Sequence, residues 1–503
     1  MVRKARLTRT RFAAGLAVAA AVGSVLATAL LWHGQRGPIL SQIPTGLMTG
    51  AVFNGVPMQA NGRAYVIDDR VIDRVVTMQS RGGYSWSGSS SNQVLRVIDT
   101  ATGRLLWSVT LNAGAGAGQY VTDLTTGRVF AIDPNGQQIT VLDARQGAIL
   151  ASPSWPTDSA GVPLSGDFVR AALIDPRSGH VFVSIDNSNP TSPGQPAPRQ
   201  PVVMLDGRSG GVLRVLSFPP GPASTSTAPY GATLTSYPST LSLALDSRPG
   251  RLDIFDAIGR VTVVDAASGR VVWSRRLRTA ITGAIMDGRT GRIVGFDASR
   301  NPHLGGRRVQ RGSYAVARSV VTIDAATGTV LRRVPAGIGW GGDGRLALDE
   351  VTGRVFVAKW LSNSVGVVDA LTGRLLRTIA LGAPPLEIAA DPRRQRILVI
   401  TSPSGRNFFS APDTTLVVLD ARNGAILRTI PLGQPAYLLA VDSVTGHLVL
   451  EASSIQPVPT DSWSWLPPAV RSRILAIPPP PPTLGPSQRV QHSTVLIVDP
   501  SGS

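Results

Sequence analysis

Short runs rich in Val, Ile and Leu, most of them closed by an aspartate, follow one another from about residue 60 to the C-terminus. Runs of this length and β-branched content predict buried strands between turns rather than helices. Two patterns organise them. In the first, an apolar run ends in Asp, three residues intervene, a Gly follows, and Arg or His opens a second run, as in "LALDEVTGRVFVA" around Asp349 and Gly353. It recurs at Asp123/Gly127, Asp175/Gly179, Asp246/Gly250, Asp287/Gly291 and Asp442/Gly446. Weaker copies stand at Asp69, with Asp73 in the glycine place, and at Asp391, with Gln395 there.

The second pattern, "VVDALTGRLLRTIALG" from Val367 to Gly382, pairs Asp99 with Gly103, Asp143 with Gly147, Asp206 with Gly210 and Asp265 with Gly269. It continues with Asp324 and Gly328, Asp369 and Gly373, Asp420 and Gly424, and ends in a truncated copy at Asp499. An aspartate opening a tight turn accepts N–H groups of its own loop, and glycine supplies the positive φ where the strand reverses. These acids therefore read as structural turn residues.

The two patterns alternate strictly and give eight pairs of hairpins. Four-stranded antiparallel sheets packed radially form a β-propeller. The expected fold is all-β, an eight-bladed propeller over residues 49–503, with seven blades as the alternative. The final copy stops just after Asp499, which leaves the last sheet without an outer strand; Thr49 to Gly55, "TGAVFNG", is the expected donor.

In such sheets both Asp-x-x-x-Gly turns lie on one face, so the insertions fall on the other. They include "SRGGYSWSGSSSN", "NSNPTSPGQPAPRQ", Pro219 to Thr240, "SPSGRNFFSAPD" and a proline-rich excursion with "DSWSWLPPAV" and "IPPPPPTLGP". Long loops on a rigid scaffold commonly carry function. Trp86, Trp155, Trp340, Trp463 and Trp465 are assigned to this face. Blades seven, eight and one, adjacent across the closure, would gather Tyr84, Trp86, Phe408, Phe409, Trp463 and Trp465 into one sector. Exposed aromatic clusters favour protein or carbohydrate binding; the alternative is a cap of loops folded on each other. Arg300, His303, Arg307, Arg308 and Arg311 form either an anion-binding loop, for phosphate, an acidic polymer or single-stranded nucleic acid, or a solvated basic one.

The N-terminus has a different pattern. Residues 1–11 carry five basic residues and no acid, and residues 12–32 carry no charge at all. A run of about 20 apolar residues is long enough to span a bilayer. Basic residues on its N-terminal side predict export of everything that follows. The expectation is one transmembrane helix over 12–32, a linker over 33–48 and a propeller outside the cytoplasm. A signal peptide cleaved near Ala27 to Ala29 is the alternative, giving a secreted protein.

The formal charge of +18 raises the question of a polyanion partner. Only Lys4 and Lys359 are lysines among the 49 basic residues, and many arginines follow a turn glycine (Arg104, Arg128, Arg251, Arg270, Arg292, Arg354, Arg374). They read as a dispersed, solvated surface rather than a groove. There is no cysteine, and the glutamates are Glu350, Glu387 and Glu451. No histidine has metal-ligand spacing to another, and no phosphate loop or nucleophile elbow is present. No metal, cofactor or catalytic residue is expected.

The stretch "VFVAKWLSNSVGVVDALTGRLLRTIALGAPPLEIAAD", Val355 to Asp391, resembles the repeat of YVTN-type (YncE-like) β-propellers. "LRVIDTATGRLLWSV" and "VTVVDAASGRVVWSR", with Trp107 and Trp273, are similar to the PQQ-type repeat. The resemblance implies tryptophans that dock one blade on the next. These groups include quinoprotein dehydrogenases, lactonases and non-catalytic scaffolds. The quinoprotein implication requires calcium, a quinone cofactor and axial carboxylates, of which this chain has few. The expectation is a membrane-anchored, extracytoplasmic binding or scaffold module, with another protein or an envelope glycan as partner. The alternatives are an axial-pocket enzyme of lactonase or quinoprotein type and a polyanion binder acting through the arginine loop.

Overall fold

In a computed structural model of the chain, the described residues are 39–45, 58–60, 63–70, 75–79, 83–87 and most of 92–501. The longest omitted stretches beyond residue 92 are 112–118, 187–199, 298–318, 336–344, 404–413 and 458–488. The basic tail and apolar segment at 1–32 lie outside the described residues, and among these no helix is long and apolar enough to cross a membrane.

Six antiparallel sheets have four strands each, joined in sequence order. One consists of Leu346–Asp349, Arg354–Lys359, Ser364–Asp369 and Leu375–Ala380. The second and third strands are buried on both faces, and the fourth is exposed along nearly its whole length. The first strands of successive sheets lie side by side from Gln119–Asp123 through Phe168–Ile174, Ser242–Asp246, Ile281–Asp287, Leu346–Asp349 and Pro385–Asp391 to Ala436–Asp442. Met58–Ala60 pairs in parallel with that last strand and leads into the sheet of Arg63–Arg70, Asn92–Asp99 and Leu105–Leu111. Sheets radiating from a common row of inner strands make the molecule a β-propeller.

The core lies in the seams between sheets. Phe182, Val202 and Met204 of one sheet interleave with Leu243, Leu252 and Ile254 of the next. Ile388, Ile397 and Val417 pack against Phe356 and Val367 in the same manner. Strands covered on both faces need apolar residues at every position, which is why the runs read as continuous rather than alternating.

The closing strand differs from the expectation. The outermost strand of the last sheet is Ile39–Thr45, antiparallel to Arg489–Val498, so part of the segment read as a linker is sheet. It occupies the position expected of 49–55, which lies outside the described residues. The physical reason is register. Ile39 faces Val498 and Ser41 faces Ile497, with Leu40 bulged out between them. Leu105, Leu106 and Trp107 repeat this arrangement against Ile98 and Val97.

The Asp69/Asp73 hairpin is also corrected. Asp69 sits inside the strand Arg63–Arg70, opposite Gln93, and the Arg63↔Asp99 pair matches Arg354↔Asp369. Arg63 therefore opens the second strand of its sheet. Tyr84 and Trp86, read as loop residues, lie on Gly83–Ser87, which pairs with Val75–Gln79 in an inserted hairpin.

A bulge marks each outer strand near its start. The bulged residues are Leu106, Leu150, Leu213, Val272, Leu331, Leu376 and Leu427, all 43–53% exposed. A bulge twists an edge strand and re-aims the side chain beside it. Here the next residue points at the turn of the following sheet. The indole of Trp107 bonds Ala144, and the guanidinium of Arg214 donates to the Gly269 carbonyl at 2.6 Å. Arg377 and Arg428 donate likewise to the carbonyls of Asn423 and Ser501.

The arginines are thus not simply a solvated surface. Arg128 and Arg354 reach the carbonyls of Gly207 and Ala421 on the next sheet, and His180 Nδ1 lies 3.0 Å from that of Ala266. Arg177 and Arg248 bond the carbonyls of Arg248 and Arg289, one sheet further on in each case. Many of these cations are latches between sheets.

Candidate functional site

Both turn patterns gather at one end of the sheets. Each repeated turn glycine in the described residues has positive φ, Gly147, Gly210, Gly269, Gly328, Gly373 and Gly424 included; Gly103 lies outside them. Gln395 takes the same conformation at φ 51° without being glycine. Asp369 Oδ1 accepts the Thr372 N–H and hydroxyl, both at 2.7 Å. Asp99 does so with Thr102, Asp324 with Thr327, and Asp143 and Asp420 accept N–H groups of their own turns. The Ser209 N–H bond and hydroxyl hold the Asp206 carboxyl below the usual carboxylate range, as do the Ser268 hydroxyl and N–H for Asp265. The N–H of the residue after the outer-turn aspartate ties the two turns of a sheet together, as Ala370 does to the Gly353 carbonyl at 2.9 Å. These acids are occupied by their own turns.

The opposite end carries the insertions. Leu448–Pro457 and Arg489–Val498 are each ten residues long. The inner strand pairs with this hairpin only as far as Ala436↔Ala452, and the closing strand as far as Thr45↔Ser493. From Ser454↔His492 to Pro457↔Arg489 the two strands run on as a ribbon with no other described strand beside them. His492 lies within the ribbon, opposite Ser454. At the ribbon's end is the 458–488 segment with Trp463 and Trp465, which lies outside the described residues. The hairpin bearing Tyr84 and Trp86 is a two-stranded sheet of its own, inserted in sequence between Arg63–Arg70 and Asn92–Asp99 of the sheet across the closure, with Tyr84 opposite Met78 and Trp86 opposite Val76. Phe408, Phe409, Trp340, Arg300, His303, Arg307, Arg308 and Arg311 lie outside the described residues.

Trp155, in the connection after Ile149–Ala151 and so at the insertion end as expected, is packed inward. Its indole N–H donates to the Leu164 carbonyl at 2.7 Å, and the ring packs on the core of Phe130, Ile132 and Val141. A second hairpin, Ser224–Thr227 with Thr233–Ser236, folds within the Pro219–Thr240 connection.

Among the described acids, Asp253 departs from the repeat. It is 1% exposed, and its Oδ2 has no hydrogen-bond partner among the described residues. By register against the third strand, its position is that of Phe130, Phe182, Val294, Phe356, Leu398 and Val449. Burial, reinforced by the charge of Asp246, pushes its carboxyl up to about 8. Asp246 is itself raised by burial. Its turn has Pro249 where Thr126, Ser178, Thr290, Thr352 and Thr445 give a hydroxyl to the equivalent acid. Nothing in the sequence pattern flagged Asp253, although an acid inside an apolar run was the available signal.

Glu387 is buried and paired with Arg345 of the neighbouring sheet at 2.7 Å, and Glu350 is exposed in a turn. Among the described residues no three His, Asp or Glu side chains gather as metal ligands.

Residues 36–214 and 257–456 match the PQQ-like repeat family described as outer membrane protein assembly factor BamB. The chain belongs to this family. No curated protein matches the sequence. Among solved structures, BamB from Moraxella catarrhalis is 16% identical with a TM-score of 0.43, covering 79% of this chain and 95% of that one. Saccharomyces cerevisiae Sqt1 is 9% identical at 0.49, with 88% and 99% covered. Kuenenia stuttgartiensis hydrazine synthase is 14% identical at 0.42, with 70% and 96% covered.

Proposed function

We propose that this protein is a membrane-anchored, extracytoplasmic propeller of eight blades that binds another protein without catalysis. The observation that carries the reading is the pairing from Ser454↔His492 to Pro457↔Arg489, which extends past the described pairing of both neighbouring strands at the insertion end, where the chain passes into 458–488. A scaffold that spends ten-residue strands on presenting a loop is built for contact. The family description as an assembly factor supports a protein partner over an envelope glycan. Glu387 held in an ion pair and the turn aspartates held by bonds within their own turns favour binding over acid–base chemistry. The uncharged 12–32 segment supports the anchor.

Alanine at Trp463 and Trp465 tests the reading. Capture of partner from native membranes falls while the propeller's melting temperature stays unchanged. Undiminished capture rejects this face.

A further inference from the structure

The face opposite the insertions carries a second pattern. Its outer rim bears the bulged residues, each at the start of an outer strand and therefore next to a turn. Between them stand exposed arginines of the same turns: Arg104, Arg145, Arg208, Arg270, Arg374 and Arg422. The aspartates of these turns are half-buried and bonded within their own loops, so the outward charge of the rim is cationic. Apolar side chains alternating with arginines, arranged in a ring, match the chemistry of a lipid headgroup layer.

Where the chain enters decides which surface lies beneath. Ile39 faces Val498, immediately before the Asp499 turn, so the N-terminal segment joins the propeller at the turn face. Residues 33–38 are the whole connection to the uncharged segment 12–32. Six extended residues reach about 20 Å at most. A bilayer holding 12–32 would therefore lie close under the turn face, leaving the insertion face turned away.

We propose that the turn face seats on an anionic lipid surface, its bulged apolar residues entering the headgroup layer and its turn arginines meeting phosphates. The inference rests on the anchor reading given above. The absence of cysteine allows single-site labels. The full chain is reconstituted in phosphatidylcholine vesicles with and without phosphatidylglycerol, carrying an environment-sensitive label at Leu427→Cys on the rim or Ser362→Cys on the insertion face. With anionic lipid, the Leu427 label shows a blue shift and a several-fold loss of quenching by an aqueous quencher, while the Ser362 label does not. High salt, or glutamine at Arg374 and Arg422, reverses much of the shielding. Equal quenching of both labels overturns the proposal. So does concentration-dependent shielding of Leu427 in detergent, which marks a second copy of the chain as the occupant. Alkaline carbonate extraction of the same vesicles reads the anchor separately. Retention with an open label sinks the seating alone, and extraction with a shielded label sinks the anchor alone.

Discussion

The indole nitrogen of Trp107 donates to the carbonyl of Ala144 at 3.2 Å, from the outer strand of one sheet to the turn of the next. The same ring lies over Gly147, where an added Cβ would fall 2.5 Å from it. Trp273 covers Gly328 likewise, at 2.9 Å from such a Cβ, though its indole nitrogen finds no acceptor among the described residues. The turn glycine thus has two duties, positive φ and a bare surface for the preceding sheet. Trp107→Ala should lower unfolding free energy by about 3 kcal/mol, and Trp107→Phe by about 1 kcal/mol, since only the hydrogen bond and part of the ring are lost. Chemical denaturation measures both. Equal losses would show that the bond, not the packing, carries the seam.

Asp253 gives the fold a pH dependence of definite sign. Its folded carboxyl holds a proton to about pH 8, whereas in the unfolded chain it titrates at the ordinary aspartate value of 3.8. Between those values the unfolded state is ionised and the folded state is not. The associated stability is present in acid and is lost as pH rises, by about 1.4 kcal/mol per unit. Asp253→Asn should flatten this slope, and Asp253→Leu should raise the melting temperature at pH 8. A melting temperature that rises from pH 5 to 8 in the wild type and not in the variants would contradict the sign.

Closure by Ile39–Thr45 predicts a sharp boundary to truncation. Removing residues 1–38 leaves the strand and should preserve protease resistance. Removing residues 1–45 exposes the edge of Arg489–Val498 and should yield early cleavage of the last sheet. Identical digestion patterns would place the closing strand elsewhere.

Arg345 and Glu387 join two inner strands in a buried pair. Arg345→Leu takes the paired cation from a buried carboxylate and should lower stability, whereas replacing both with leucine should recover most of the loss. Thermal melts of the single and double variants measure the difference.

The turns were legible because each is local: Asp, three residues and Gly write the whole hairpin into consecutive positions. Closure was not, because its hairpin is split between the termini. Yet "GPILSQIPTG" at 37–46 repeats "GAILRTIPLG" at 424–433, so an outer-strand signal existed without the aspartate that elsewhere announces it. Asp69 misled for the converse reason. It ends an apolar run as a turn acid does, while the strand opens at Arg63, opposite Asp99. The arginine latches were hidden because their acceptors are backbone carbonyls some fifty to eighty residues away, which no spacing rule records.

The binding account is tested most directly by joining Pro457 to Arg489 through a short turn, which removes 458–488 and keeps the paired ribbon. Melting temperature and capture of partner from native membranes are then measured side by side with the wild type. The account predicts an unchanged melting temperature and lost capture. Retained capture in a chain that melts normally would contradict it.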